Sequence, residues 1–393
     1  MSRKRMVATA AVLAGALMLT ACGGGGSSSA PAGGGEGGGD TLKIGFMGDL
    51  TGENSGIVIP PRNGAKLAID EYNATNPAQK LEMIEYDSQG SADQAVPLAT
   101  QAIQQDKIVA LIGPAFSGES KAVGPVLEQG GIPSISASAT NPGLAQNGWK
   151  FWHRVVANDA DQGPAIADFL TRAKSPKKAF VISDDQEYSV GLADAMFNDF
   201  QSKGVTVERD QFAQAASDYS STVSKVSAFQ PDVVVYGGYY AQAGRLLKQL
   251  RDAGVTATFA SGDGSLDPQI IQGAGAPAAE GAVLACPCNI PYGATTGPLA
   301  DFTAKYKAAF NTDPAIYSTE GYDAATLFIN AIKGGATTPD AINTAVSGAT
   351  LDGVSKKIAF KPNGEPDVNS IFIYQVKNGA LGLLGQSTEA TLG

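Results

Sequence analysis

Short apolar runs alternate with amphipathic helical segments along most of this 393-residue chain, and this alternation restricts the possible folds more than any other feature. The run Val233-Val234-Val235 contains no polar residue, as expected for a parallel strand that is covered on both faces. Residues 240–253 repeat apolar side chains at helical spacing, and Gly254 follows as a C-terminal stop. The alternation predicts an α/β fold with parallel strands.

Two blocks of this pattern follow one another, and each has the size of one doubly wound lobe. Their predicted strands lie at 41–47, 81–86, 108–112 and 132–135, then at 179–183, 205–212, 233–236 and 258–260. Two helices and two strands are predicted after them, at 301–310, 318–333, 356–360 and 370–376. This late return to helices and strands implies that the chain crosses back between the lobes. A folded part of about 350 residues also suits two domains.

The N-terminus has the pattern of a secreted bacterial lipoprotein. Three basic residues at positions 3–5 precede an uncharged apolar run at 6–19, which is too short for a permanent membrane-spanning helix. Leu-Thr-Ala-Cys at 19–22 resembles the lipobox, whose cysteine is acylated and becomes the new N-terminus. The alternative is a plain secretory signal in which Cys22 has no role.

The glycine-rich stretch at 23–39 favours the lipoprotein interpretation, because it has the composition of a flexible tether. We therefore predict a signal peptide over 1–21, acylation of Cys22, and an anchored linker over 22–40. The folded body is expected to lie outside the cytoplasm, held at the membrane by the acyl chain.

The charge of the mature chain limits its partners. Loss of the three basic residues in the signal peptide reduces the 28 Lys and Arg to 25, against 38 Asp and Glu, a net charge of −13. Such an acidic body repels phosphate backbones and anionic lipids. We expect no nucleic acid partner, and membrane contact through the acyl anchor only.

Two cysteines remain besides Cys22, namely Cys286 and Cys288, and a local disulfide between them suits an oxidising compartment. Structural zinc sites use four ligands, and the chain has a single histidine, His153, so we expect no metal. This histidine is expected to be structural. The chain also lacks a Gly-x-Ser-x-Gly elbow and a phosphate-loop pattern, so we predict neither an enzyme nor a cofactor.

Seven segments, in order along the chain, resemble the leucine/isoleucine/valine-binding protein family of type I periplasmic binding folds. All seven fall at or near predicted strand ends or helix starts, where open α/β sheets bind ligands. They are Gly-Phe-Met-Gly-Asp-Leu-Thr-Gly at 45–52, Gly-Pro-Ala-Phe-Ser at 113–117, Ser-Ala-Thr-Asn-Pro at 138–142, Asp-Gln-Gly-Pro at 161–164, Asp-Asp-Gln-Glu-Tyr at 184–188, Tyr-Gly-Gly-Tyr at 236–239 and Gly-Asp-Gly at 262–264.

The resemblance implies two doubly wound, Rossmann-like α/β lobes joined by three crossovers, with the ligand in the cleft between them. By the same resemblance, the first lobe comprises residues 41–157 and 289–365. The second lobe comprises residues 158–288 and 366–393.

The resemblance also implies which residues hold an α-amino acid. Ser117, at the start of a predicted helix, would place its hydroxyl and nearby N–H groups around a carboxylate, and Thr140 would add a second hydroxyl. Asp263 would face the ammonium group. The implied set also contains Ser138 and Ala139 from the loop of Thr140, and Tyr188 and Tyr239, which would close over an aliphatic side chain.

Each of these residues has a plainer alternative. Ser117 could be only a helix N-cap, and Asp263 only a turn residue in Gly-Asp-Gly. Tyr188 and Tyr239 could be core aromatics. Together, however, they supply the donors, the acid and the apolar wall that one α-amino acid needs.

The sequence also departs from the family pattern around the ligand side chain. Ile57 stands where the family has an aromatic ring, and Asp263 is one methylene shorter than the family's usual glutamate. Phe116 and a residue near Gly90 replace the family's cysteine pair. We expect Phe116 to intrude into the side-chain pocket and Tyr317 to lie at another wall.

We therefore predict an extracytoplasmic solute-binding receptor of an ABC importer. It would capture a branched-chain or other small apolar amino acid by hinge closure and present it, as a monomer, to permease and ATPase subunits. One alternative is the same fold with an amide, urea-like or carboxylate ligand. The others are a ligand sensor and, less favoured, a surface-anchored hydrolase.

Overall fold

The structure is a computed structural model that describes residues 41–368 and 370–392. Its first sheet has five parallel strands in the order β2-β1-β3-β4-β5. The inner strands β1, β3 and β4 are largely buried, as parallel strands covered on both faces require, whereas the edge strand β2 leaves Glu82 and Glu85 exposed. The strands are β1 Leu42–Gly48, β2 Leu81–Asp87, β3 Ala110–Ile112, β4 Ser134–Ser136 and β5 Trp152–Arg154.

The second sheet has seven strands, of which the last two along the chain run antiparallel at one edge. The later strands are β6 Lys178–Ser183, β7 Thr206–Gln211, β8 Val233–Tyr236, β9 Thr258–Ser261, β10 Val283–Cys286, β11 Thr350–Asp352, β12 Lys357–Ala359, β13 Phe372–Lys377 and β14 Ala380–Gln386. Strands β11 and β12 form a separate hairpin. The others are ordered β14-β13-β10-β9-β8-β6-β7.

Helices cover both sheets. They are α1 Ile59–Ala74, α2 Ala92–Gln101, α3 Ser117–Gly130, α4 Asp159–Lys174, α5 Glu187–Ser202, α6 Ser220–Phe229, α7 Tyr240–Asp252, α8 Gln269–Ala274, α9 Ala276–Ala279, α10 Gly297–Phe310, α11 Ser318–Lys333 and α12 Pro339–Ser347. Within the described residues, no helix is both long enough and apolar enough to cross a bilayer.

Strand β8 and helix α7 show how the apolar pattern produces the layers. Val233, Val234 and Val235 are almost fully buried in the middle of the second sheet. The apolar face of α7, including Leu246 and Leu250, packs into the same core. Burial of each such side chain contributes roughly 1.5–3 kcal/mol, so the uninterrupted apolar runs favour this layered arrangement.

The chain passes between the two sheets three times. It leaves the first sheet after β5 and returns after β10 to form α10, α11 and α12, of which α11 packs on α1. It crosses again after β12, because β13 and β14 extend the second sheet. We call the parts around the five-stranded and seven-stranded sheets the first and second lobes. This arrangement confirms the predicted α/β class, with two doubly wound lobes and three crossovers.

Strands β5, β10, β11 and β14 were absent from the sequence-based assignment. Strand β5 has only three residues, which is too few for a periodic pattern to be visible. Strand β14 contains Gly382 and Gly385 and is largely exposed, so it lacks the apolar run used to find the others. The other predicted strands agree with the structure to within about two residues at each end.

Candidate functional site

The segments that resemble the periplasmic binding family meet where the two lobes face each other. Six of the seven extend beyond the carboxyl ends of β1, β3, β4, β6, β8 and β9, and the segment at 161–164 lies in the first turns of α4. Open α/β sheets bind ligands at this edge because strand ends and helix N-termini converge there. The candidate site is therefore the cleft between the lobes.

A small inner cavity of about 10 Å³ lies in this cleft, a volume close to that of one water molecule. Both lobes contribute to its wall. The lining residues are Ile57, Ala115, Phe116, Ser117 and Ser138 from the first lobe, and Tyr188, Tyr239, Asp263 and Gly264 from the second. The facing walls are thus almost in contact, which describes a closed arrangement of the two lobes.

Asp263 is the charged group of the inner cavity and is almost completely buried. Its Oδ1 atom accepts hydrogen bonds from the Tyr188 hydroxyl at 2.9 Å and from Gln162 Nε2 at 2.7 Å. Its Oδ2 atom accepts from the Tyr317 hydroxyl at 2.6 Å. Burial raises the pKa of Asp263, while these three donors favour its charged form. The bonds also fix the orientation of its carboxylate.

Tyr317 joins the first lobe to Asp263 and has an unusual backbone. Its φ of 60° lies in the left-handed region, which bulky residues rarely adopt, and it precedes the first residue of α11. Strained residues of this kind are found where the surrounding structure requires them. The strain here directs the hydroxyl at the carboxylate of the opposite lobe.

A second buried acid, Asp159, lies beside Asp263 and was missed in the sequence analysis. Gln162 Nε2 donates to Asp159 Oδ1 at 3.0 Å as well as to Asp263, so one amide links both carboxylates. Burial first, and then the charge of Asp263, raise the pKa of Asp159 to about 8. In the sequence, Asp159 follows Asn158 at a helix start and is indistinguishable from a residue that favours the helix dipole.

The opposite wall of the cavity is the start of α3. Phe116 is the N-cap residue and Ser117 the first helical residue, so the alternative that Ser117 is only an N-cap is wrong. The N–H groups of Ser117 and Gly118 lie in the first helical turn and have no intrahelical acceptor. The hydroxyl of Ser117 accepts a hydrogen bond from Asn141 N at 3.2 Å. These groups can hold an anion.

The loop after β4 supplies the remaining polar positions. The Ser138 hydroxyl donates to the Ala115 carbonyl at 2.8 Å, and the Ala139 N–H donates to Ser136 Oγ at 3.0 Å. Thr140 is buried, and its hydroxyl lowers the pKa of Asp159 by hydrogen bonding to that acid. Of the three residues named from this loop, Thr140 is therefore the one whose hydroxyl lies beside the buried acids.

Three aromatic rings cover the inner cavity. The ring centroid of Tyr239 lies 4.7 Å from that of Phe116 and 5.1 Å from that of Tyr188, so the stack spans both lobes. A Cβ atom added at Gly90 would lie 3.3 Å from the Phe116 ring, and φ at Gly90 is +72°. Phe116 therefore lies next to Gly90 at one wall of the inner cavity.

Beyond the pair Phe116 and Tyr239, the cleft opens into an outer cleft of about 370 Å³. Contacts between the lobes surround it. The Tyr240 hydroxyl donates to the Glu53 carbonyl at 2.8 Å, and the Glu53 carboxylate pairs with Arg245. Lys121 of α3 also pairs with Glu187 of α5 at 2.9 Å. Each of these contacts joins the first lobe to the second.

The other residues singled out in the sequence lie away from this cavity. Cys286 and Cys288 form a disulfide with a Cα–Cα distance of 5.0 Å, at the end of β10 where the chain crosses between lobes. His153 is buried in β5, with Nε2 3.0 Å from Ser347 Oγ. No cluster of three or more metal-ligating side chains occurs in the described part of the chain. Cys22 lies outside the described residues.

Two α/β lobes, three crossovers and a polar cleft at the facing strand ends define a bilobal periplasmic binding protein. Residues 41–380 match the model of the periplasmic binding protein family, and the chain belongs to this family. It is 28% identical to a Leu/Ile/Val/Thr-binding protein of Salmonella typhimurium over 83% of this chain and 88% of the relative.

Two solved structures share the fold closely. A leucine-binding protein of Thermotoga maritima superposes with a TM-score of 0.82 at 28% identity, covering 88% of this chain and 98% of its own. A branched-chain amino acid transporter substrate-binding protein of Streptococcus pneumoniae, solved in complex with isoleucine, has a TM-score of 0.79 at 25% identity, covering 88% of this chain and 99% of its own.

Proposed function

We propose that this protein is an extracytoplasmic receptor for a branched-chain or other small apolar amino acid and delivers it to an ABC importer. One observation carries the proposal: a buried acid and a helix N-terminus face each other across one cavity. Asp263 suits an ammonium group, and the first turn of α3 at Ser117 suits a carboxylate. Relatives that bind leucine, isoleucine or valine support the choice of ligand.

Binding in this cleft would depend on the two charged groups of the ligand and on closure of the two lobes. The ligand's ammonium group would be bound by Asp263 and Asp159, the two acids that Gln162 links. Its positive charge would compensate the negative charge of these acids in the closed site. The ligand's carboxylate would be bound by the N–H groups of α3 and, as the family resemblance implies, by the hydroxyl of Thr140. Closure of the lobes would then bring Tyr188 and Tyr239 over an apolar side chain and exclude water.

Asp263→Ala tests the ligand class. Loss of one partner of a buried charge pair costs on the order of 3–5 kcal/mol, so binding should weaken roughly 100- to 5000-fold. Calorimetric titration with a panel of amino acids and their amides measures this. Asp263→Asn is the matched control, because it keeps the size of the side chain and removes the charge, and it should weaken binding nearly as much. Unchanged affinity in both variants would remove the ammonium assignment.

Ser117→Ala is expected to cost less, about 1–3 kcal/mol, because the backbone N–H groups of α3 still hold the carboxylate. A wild-type protein that prefers ligands without an amino group would place it with an amide or carboxylate receptor of the same fold. A larger loss for Ser117→Ala than for Asp263→Ala would contradict the assigned orientation of the ligand.

We also propose that Cys22 anchors the protein by acylation and that the monomer docks with permease and ATPase subunits. The lipobox pattern at 19–22 and the tether that follows support the anchor. Cys22→Ser should release the processed protein from membranes or leave the signal peptide uncleaved. Membrane fractionation with mass measurement of the N-terminal peptide tests this. Processed Cys22→Ser protein that stays with membranes would contradict it.

A further inference from the structure

A buried acid, Glu119, is the third residue of α3 and lies in the same helical turn as Ser117. We propose that Glu119 is a positioning residue for the ligand carboxylate: it fixes the start of α3, and tight binding requires its side chain to be in the neutral, protonated form. This inference rests on the proposed function, because it concerns the carboxylate end of the same amino acid site.

The carboxyl group of Glu119 joins two loops of the cleft. Glu119 is 1% exposed. Its Oε2 atom accepts a hydrogen bond from the Phe116 N–H at 3.0 Å, and its Oε1 atom accepts one from the Ser88 hydroxyl. Phe116 lines the inner cavity, and Ser88 directly precedes two residues of the outer cleft, Gln89 and Gly90. Glu119 therefore connects the start of α3 to the loop after β2.

These contacts place the Glu119 carboxyl group close to where a ligand carboxylate would bind. The first N–H groups of a helix have no intrahelical acceptor. Glu119 already accepts from the Phe116 N–H, and the Ser120 N–H donates to the Phe116 carbonyl at 2.9 Å. The N–H groups of Ser117 and Gly118 lie between these two bonded groups along the helix. A carboxylate that they hold would share one helical turn with Glu119.

Two negative charges in one turn would repel each other strongly in a closed cleft. The surroundings of Glu119 already favour its neutral form. Burial raises the pKa of Glu119 most, the hydrogen bonds from Ser88 and from the Phe116 N–H lower it, and the charges of Asp49 and Asp87 raise it again, to about 7 in all. A ligand carboxylate would add a further negative charge and raise this pKa more.

The elements that pack against α3 do not supply a compensating cation. They are α2, α5 and the short helix at 142–146, which contains no charged residue. Asp93 of α2 is exposed, and Lys121, the one cation of α3, is exposed and pairs with Glu187 of α5. The charge of Glu119 also reaches the cavity: burial raises the pKa of Tyr239 most, and the charge of Glu119 is among the further causes.

The proposal predicts that binding weakens as pH rises. Below pH 7, Glu119 keeps its proton in the free and in the bound protein, so this group has little effect on Kd. Above pH 7, the free protein loses the proton and must take it up again when the carboxylate binds, which raises Kd up to about tenfold between pH 6 and pH 8.

Glu119→Gln tests this, because the amide resembles the protonated acid and can still accept from the Phe116 N–H. Calorimetric titration with L-leucine, L-isoleucine, L-valine and L-alanine gives Kd at both pH values. The ratio of the wild-type Kd to the variant Kd should be about three- to tenfold higher at pH 8 than at pH 6. Asp159 titrates in both proteins, so its effect cancels in the ratio. A ratio that does not change with pH would overturn the proposal.

Glu128→Gln is the matched control. It removes the same charge from the other end of α3, where Glu128 Oε2 accepts from the backbone N–H groups of Lys150 and Phe151. The amide oxygen can still accept from these groups, so the Kd should stay within about twofold of wild type at both pH values. An equal pH effect in Glu128→Gln would show that the charge of the whole helix matters, and it would overturn the specific role of Glu119.

Ser88→Ala is a second test that keeps Glu119 itself. The Ser88 hydroxyl stabilises the charged form of Glu119, so its loss should raise the pKa of Glu119 further and move the weakening of binding to higher pH. A Ser88→Ala profile that coincides with wild type would contradict the proposal. Wild-type protein that binds none of the four amino acids would overturn the proposed function together with this inference, whereas binding with a constant Kd ratio would overturn the inference alone.

Discussion

At the scale of single residues, the ammonium side of the cleft depends on two carboxylates that share one amide donor. Gln162 binds both Asp159 and Asp263, and its own Oε1 accepts the Asp263 N–H at 3.1 Å. The Thr140 hydroxyl lowers the pKa of Asp159 by hydrogen bonding, but burial and the charge of Asp263 outweigh it and raise that pKa to about 8, so Asp159 keeps its proton at neutral pH. An ammonium group bound beside the two acids would favour the loss of this proton, which suits a cationic ligand group.

This arrangement predicts a pH dependence of stability. The pKa of Asp159 rises from 3.8 to about 8 in the folded protein. Between these values only the folded carboxyl keeps its proton, so the free energy of unfolding should fall as pH rises, by about 1.4 kcal/mol per pH unit from this group. Asp159→Asn should remove that contribution, so the variant should gain stability relative to wild type from pH 5 to pH 8.

Urea unfolding at several pH values measures the difference between variant and wild type. His153 has the opposite effect between its folded pKa of about 4 and its ordinary value of 6.5, because burial disfavours its charged form. That contribution is present in both proteins and cancels in the difference. If the difference in the free energy of unfolding between the variant and wild type does not change with pH, the pKa of Asp159 is not raised and the prediction is wrong.

At the scale of elements, the position of Tyr317 depends on how closely α11 approaches α1. The two helices pack against each other through glycines. A Cβ atom added at Gly321 would overlap the Pro61 carbonyl, and one added at Gly64 would overlap the Ser318 carbonyl. Since Tyr317 directly precedes α11, this close packing sets where its hydroxyl meets Asp263.

Gly321→Ala should therefore destabilise the protein by about 1–3 kcal/mol, because overlap with backbone atoms forces the helices apart. Ligand affinity should fall as well, since Tyr317 moves with α11. Gly348→Ala is the control: this residue has a φ of −94°, and an added Cβ would lie 3.7 Å from the nearest atom. Urea unfolding and calorimetry measure both effects. If Gly321→Ala and Gly348→Ala are equally stable, α11 does not approach α1 as closely as described.

The elements also show which parts of the molecule the sequence could predict. The central strands were found because their apolar runs are uninterrupted, and α7 because its apolar side chains repeat at helical spacing. Ser117 and Asp263 were found through a resemblance of short motifs. The roles of Asp159 and Gln162 were missed because the acid that they meet is distant in sequence: Gln162 and Asp263 are 101 positions apart. The local sequence pattern around Gln162 does not indicate that its side chain contacts Asp263.

At the scale of the whole molecule, each passage between the lobes is tied to its surroundings. Arg154, at the end of β5, pairs with Glu365 on the way to β13, and Asn158 donates to Glu365 Oε1 at 3.2 Å. The Cys286–Cys288 disulfide lies where the chain leaves β10, and the Tyr374 hydroxyl donates to the Cys288 carbonyl at 3.0 Å. Lobe motion is thus expected to be a hinge movement about these segments.

Closure about that hinge predicts the effect of Tyr240→Phe. The Tyr240 hydroxyl of the second lobe bridges to the first by donating to the Glu53 carbonyl at 2.8 Å and accepting from Gly56 N at 3.1 Å. Two hydrogen bonds contribute about 1–3 kcal/mol to the closed arrangement alone. Their loss lowers the closed population, so the apparent Kd should rise roughly 5- to 150-fold.

Calorimetric titration gives the Kd, and small-angle X-ray scattering with subsaturating ligand gives the radius of gyration, which should be larger for Tyr240→Phe than for wild type because fewer molecules are closed. Tyr306→Phe is the matched control, because its buried hydroxyl donates to the Pro60 carbonyl at 3.3 Å within the first lobe. That variant should lose stability but keep the wild-type Kd. If Tyr240→Phe keeps the wild-type Kd as well, the contact across the cleft does not stabilise closure, and ligand contacts alone must hold the lobes together.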